Sequence, residues 1–175
     1  MSCRNILVFL ASLLLPTCMA AQASYTASRD LTFQAGAAYT IASPDYGTKY
    51  IQGIGLYGDV NFGLHLGVDI QFHDNTILTP QDIGESSGIV SLRYRLIHRR
   101  FQPYLRAGGG LGTFTFQDTS TSSHYGVLAG GAGLDYHFMQ HVNIRIIDFE
   151  YQHWGNFPPN GLTPYVISAG AAYAF

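Results

Sequence analysis

The chain has 175 residues, a formal net charge of -2 and a mean hydropathy of +0.09, with 20 glycines and 12 tyrosines. Charged residues make up 11% of it, against about 25% in an ordinary soluble domain. This length suits one domain with a core. The charge is thin for a water-facing surface and shows no basic run for nucleic acid, and the hydropathy is too low for a helical membrane protein.

At the N-terminus, Arg4 precedes the apolar stretch ILVFLASLLL (6–15), which is too short to span a bilayer as a helix, and the small residues of MAAQAS (19–24) follow. This reads as a secretory signal peptide over residues 1–23, cleaved on the A-x-A pattern of Ala21 and Ala23, with Ala20 or Ala21 as alternative sites. Cys3 and Cys18 leave with it, so the exported chain needs no disulfide. LPTC (15–18) faintly resembles a lipoprotein box, which Pro16 and Thr17 fit poorly.

The remainder, 24–175, holds no apolar run of about 18 residues and hence no transmembrane helix. It shows period-two alternation instead, the mark of strands with one apolar face. In chain order the segments are LTFQAGAAYTI (31–41), YIQGIGLYGDV (50–60), GLHLGVDIQF (63–72), GIVSLRYRLI (88–97), QPYLRAGGGLGTFTF (102–116), HYGVLAGGAGLDYHF (124–138), VNIRIIDFEYQ (142–152) and PYVISAGAAYAF (164–175). Long polar connections, 42–49, 73–87, 117–123 and 153–163, alternate with short turns around NF, HRR and MQ. An even number of strands with long loops at one end and short turns at the other is the pattern of an outer-membrane barrel. A strand of about 11 residues, at roughly 3.3 Å each and tilted about 40°, rises roughly 27 Å, enough to cross that membrane. The expected fold is therefore all-β, an eight-stranded antiparallel up-and-down transmembrane β-barrel whose lumen is filled by side chains.

Energetics then assign the faces, because Arg or Lys at mid-membrane costs about 2–4 kcal/mol on the lipid side. Charges accordingly share the lumen: Asp59, His65, Asp69, Arg93, Arg95, Arg106, Asp135, Arg145, Asp148 and Glu150. Arg145 and Asp148 are three apart, so strict alternation would send one of them to lipid. A β-bulge at Ile146–Ile147 removes the conflict. Signs nearly balance, as buried ions require, so the network reads as a structural polar core, with an ion path or proton relay as the sharper alternative. Aromatics near strand ends, among them Tyr39, Phe72, Tyr125, Tyr151 and Trp154, are expected to form an interfacial girdle at the long-loop rim.

With QPYLRAGGGLGTF, IDFEYQHWGNFPPNGLTP and the closing AYAF, the chain resembles the small outer-membrane β-barrel proteins of the OmpA/OmpX-like group. The resemblance implies a bacterial outer-membrane location, periplasmic ends and surface loops. It also implies partners in outer-membrane lipid and, during biogenesis, in periplasmic chaperones and the barrel-assembly machinery. The machinery would read Tyr173 and Phe175 as an assembly signal. Any surface ligand would be held by the four long connections. Lipid A deacylases of similar shape carry His-x-Ser-Asn; here HWGN places Gly155 where the nucleophile belongs, and glycine has no hydroxyl to attack an ester. His124 beside Ser122 and Ser123 is a weak set for acyl transfer. GGGLG (108–112) and GGAG (130–133) do not lead from a strand into a helix as phosphate loops do. The seven histidines are scattered, and no metal or cofactor is expected. The expected role is structural or surface-interacting without catalysis. A narrow low-conductance channel is the alternative, and a deacylase-like enzyme is disfavoured.

Overall fold

The computed structural model describes residues 31–45, 50–75, 78, 83–96, 100–116, 121–155 and 161–175. The expected signal peptide lies outside them, as do parts of all four long connections. Eight strands form one closed barrel in sequence order. They are β1 (Leu31–Ser43), β2 (Ile51–Phe62), β3 (Leu66–Asp74), β4 (Ile83–Arg95), β5 (Phe101–Phe116), β6 (Thr121–Met139), β7 (Val142–Trp154) and β8 (Tyr165–Ala174). Every neighbouring pair is antiparallel, including β1 with β8. Closure pairs each strand on both sides, so no edge is left open.

Alternation is regular in β2, where residues from Ile51 to Asn61 alternate between buried and more accessible positions. The buried set points into the lumen, while the exposed leucines, isoleucines and aromatics form the outer band. At the β1–β8 seam, Gly36 faces Ala172 and Ala38 faces Gly170, so small inward residues let the two strands meet. Turn chemistry sets the short-turn end. Gly63 has φ 67°, a left-handed conformation that glycine adopts at no steric cost, and it breaks the ladder between β2 and β3.

The bulge lies where the charges demanded it. Leu134 pairs with Ile147 and Asp135 with Arg145, which leaves Ile146 without a partner on β6. On the other side, Arg145 pairs with Gly170 and Asp148 with Ser168. Ile146 and Ile147 are both exposed, and Arg145 and Asp148 are both buried.

Two connections are shorter than the sequence implied. β4 starts at Ile83 rather than Gly88, and β6 starts at Thr121 rather than His124. Ile83–Ser87 pairs with β5, as do Thr121–Ser123 on its other side. Strands that run past the membrane have polar surroundings on both faces, so their alternation carries no hydrophobic signal. With 16 and 19 residues, β5 and β6 are the longest strands and extend furthest at the long-loop end.

Candidate functional site

The interior of the barrel is the site with the densest chemistry. Inward positions of β2 to β7 deliver three fully buried arginines and five buried carboxylates to one cluster. Arg93 of β4 bridges Asp59 at 2.6 Å and Asp135 at 2.5 Å. Arg106 of β5 contacts Asp148 at 2.9 Å, Asp69 at 3.7 Å and Glu150. Arg145 of β7 sits between them, 3.4 Å from both Asp135 and Asp148 and 3.6 Å from both Asp59 and Asp69. Aromatic faces complete the shell: the guanidinium of Arg93 lies 3.7 Å from the Tyr104 ring centroid, and that of Arg145 lies 3.7 Å from the Tyr57 centroid. Such stacking stabilises a desolvated cation while leaving its in-plane N–H groups for carboxylates.

From this cluster a hydrogen-bonded ladder runs along the inward face of β7. The Gln152 amide donates to Glu150 Oε1 at 2.7 Å and to Ser87 Oγ at 3.3 Å. Trp154 Nε1 donates to Gln152 Oε1 at 2.7 Å. The indole closes the ladder with an apolar cap made with Ile89, Phe114, Val127, Ala129 and Leu162. Leu162 is held there by a backbone bridge to Trp154. Gly112 makes room for the indole, since a Cβ there would lie 2.5 Å from Trp154 Cζ3. At the short-turn end, Gln34 donates to Asp59 and accepts from Asn143 at 2.5 Å, while His137 Nδ1 donates to Asn143 at 2.8 Å.

Eight of the ten residues expected in the lumen network therefore meet in one cluster; His65 and Arg95 do not. His65 is exposed in the 63–65 turn, where its Nδ1 donates to the Arg95 carbonyl at 2.9 Å and its ring stacks on Tyr94. The turn at Gly63 takes residues 63–65 off the ladder, so strand alternation does not hold across them. Arg95 points inward but only half-buried, 3.5 Å from the Gln102 side chain and the Gly63 carbonyl. Tyr39, Phe72 and Tyr151 are exposed on the outer face. Trp154 corrects the girdle expectation: it is 0% exposed and inside the lumen. Tyr125 packs against it at 6.3 Å between centroids. Nearness to a strand end suggested a girdle, whereas parity decides the face: Trp154 follows Glu150 and Gln152 by even steps.

Tyr57 and Glu85 belong to the interior and were not anticipated. The alternation of β2 would have found Tyr57. Glu85 falls within the connection expected over 73–87, where no alternation marks a face. His153 is exposed, with Gly155 two residues on, and His124 Nδ1 is 3.0 Å from Thr113 Oγ1. Among the described residues no group of three or more His, Cys, Asp and Glu is placed to hold a metal ion.

A closed barrel with an ionic interior and an apolar outer band is an integral membrane β-barrel. The chain belongs to the outer membrane protein beta-barrel domain family, whose model matches residues 9–175. No curated protein sequence matches it. Among solved structures it is similar to Neisserial surface protein A, at 19% identity and TM-score 0.62 over 83% of this chain and 97% of that one. It is also similar to OprG of Pseudomonas aeruginosa, at 18% identity and TM-score 0.58 over 83% and 96%. The N-terminal barrel of OprF from the same organism gives 13% identity and TM-score 0.60 over 83% and 98%. These likenesses show the fold, a small closed β-barrel, and the family is one of the bacterial outer membrane.

Proposed function

We propose that this protein is a non-catalytic barrel with a structural or surface-interaction role, whose long connections face outward and whose short turns and C-terminus face the periplasm. The observation that carries this reading is the filled lumen. Three arginines, five carboxylates and two stacked tyrosines occupy its centre, and the Trp154 cap lies across the long-loop end. An ion would have to displace paired charges whose separation costs several kcal/mol each. Catalysis would need a nucleophile at an accessible position. Gly155 supplies none, and the acidic and basic groups of the interior are committed to one another.

Any ligand of the surface role falls to the connections, where Thr163 donates to Asp45 through both its backbone N at 3.2 Å and its Oγ1 at 2.9 Å. That contact joins Asp45, just past β1, to Thr163, just before β8. Tyr173 and Phe175 serve as the assembly signal of this reading, exposed and packed edge-on at 5.1 Å. Planar-bilayer recording of the purified barrel tests the role: a flat trace is expected, and stepwise currents would replace it with the channel reading. Lipid A mass profiles should be identical with and without expression; a lost acyl chain would restore the enzyme reading.

A further inference from the structure

A groove lies outside the barrel, in its lipid-facing wall. It has a volume of about 530 Å³ and is lined on β2 to β5 by Leu56, Phe72, Gly88 and Leu111, with Ser86 and Thr113 above them. That size falls within the roughly 300–1,000 Å³ of small-ligand sites. Strand register explains how it forms. Leu56, Phe72, Gly88 and Leu111 are successive cross-strand partners and make one outward row. Leu56, Phe72 and Leu111 stand out as walls, 60% exposed at Phe72 and 67% at Leu111, while Gly88 supplies no side chain and becomes the floor. A Cβ on Gly88 would already lie 3.1 Å from the Phe72 ring.

Two residues further toward the long-loop end, the next outward row is Asp74, Ser86, Thr113 and His124, again successive partners. An apolar row capped by a polar row across several strands marks the level where hydrocarbon gives way to headgroups. The groove therefore opens into the membrane, continuous with the apolar band that lipid already covers, and its polar end sits at the headgroup boundary.

We infer that this groove is a binding site for an acyl chain of a membrane lipid in the leaflet on the long-loop side. The hydrocarbon lies over Gly88 between Phe72 and Leu111. The carbonyl of its ester or amide linkage accepts a hydrogen bond from the Ser86 hydroxyl, while Thr113 Oγ1 is paired with His124 Nδ1. The site stands on membrane residence alone, so it holds whether or not the lumen conducts.

Photolabelling tests it in the full barrel, reconstituted into vesicles of phosphatidylethanolamine doped with the same lipid bearing a diazirine on one acyl chain. Labelled peptides are then mapped by mass spectrometry. Label should concentrate at Phe72 and Leu111 over the outward-facing Leu128. Gly88→Phe, which fills the floor, should lower it about tenfold at Leu111, as expected for a lost site rather than thinned contact. Val90→Phe, on the same strand and lipid face but outside the groove, should leave it unchanged. Leu111→Trp narrows the groove from its other wall without touching the floor and serves, with Phe72 as the readout, if Gly88→Phe does not give the heat-shifted folded form. Equal labelling at Leu111 and Leu128, insensitive to these substitutions, would reduce the groove to ordinary lipid contact.

Discussion

Arg106 shows how this interior is held. It lies buried on β5 against Asp69, Asp148 and Glu150, with the Gln71 amide donating to the same Asp148 carboxylate at 3.2 Å. Removing one partner of a buried pair costs more than forming the pair ever contributed, because the remaining charge stays desolvated. Arg106→Met should therefore destabilise the barrel by about 3–5 kcal/mol, read as a lower urea midpoint of the heat-shifted gel species. A loss below about 1 kcal/mol, the range of a surface pair, would mean that the lumen behaves as solvent. Adding Asp148→Asn and Glu150→Gln to Arg106→Met should recover part of the loss. Trp154 is the apolar counterpart. As the single tryptophan it reports only on the cap, so its emission should be blue-shifted when folded and move red on unfolding. Trp154→Ala should cost about 3–5 kcal/mol, as for other buried aromatics.

Among the elements, β7 carries the most information. Its inward residues before the bulge are Asn143 and Arg145, and those after it are Asp148, Glu150, Gln152 and Trp154. One extra residue thus switches the parity of the strand. Deleting Ile146 would leave Arg145 and Asp148 two apart, so regular pairing with β6 and β8 keeps both of them inward. The deletion variant should therefore keep the heat-shifted form, as should Ile146→Ala, which keeps the count. Loss of that form in the deletion variant alone would show that the bulge itself, and not only the parity of the charges, is required. The bulge was legible in the sequence because a charge conflict at odd spacing has one inexpensive solution. The upper part of β4 was not legible, because Gly84–Ser87 has no apolar face, and only pairing with β5, and at Ser86 and Ser87 with β3, makes it a strand.

At the scale of the whole molecule, closure couples the two ends of the chain. β1 and β8 pair from Gln34↔Ala174 to Ser43↔Tyr165. Phe175 extends the seam: its N–H donates to the Phe33 carbonyl at 2.9 Å, and its ring lies 5.3 Å from that of Phe33. Most of β8 pairs without Phe175, so its deletion should lower the amount of membrane-inserted protein far more than the urea midpoint of what is inserted. Comparing fractionated membranes with purified barrel separates the two effects; an equal fall in both would make Phe175 a stability residue and not an assembly signal.

Alternating hydrophobicity, the exclusion of charge from lipid and the sorting of connections by length were enough to specify eight strands, their inward faces and the bulge, because membrane and lumen are opposite solvents and parity chooses between them at every residue. The exact partners of each charge, the inward turn of Trp154, the retreat of His65 and the groove over Gly88 were decided by register and curvature. Those bring together residues dozens of positions apart, and no periodicity within a single strand encodes which neighbour stands beside it.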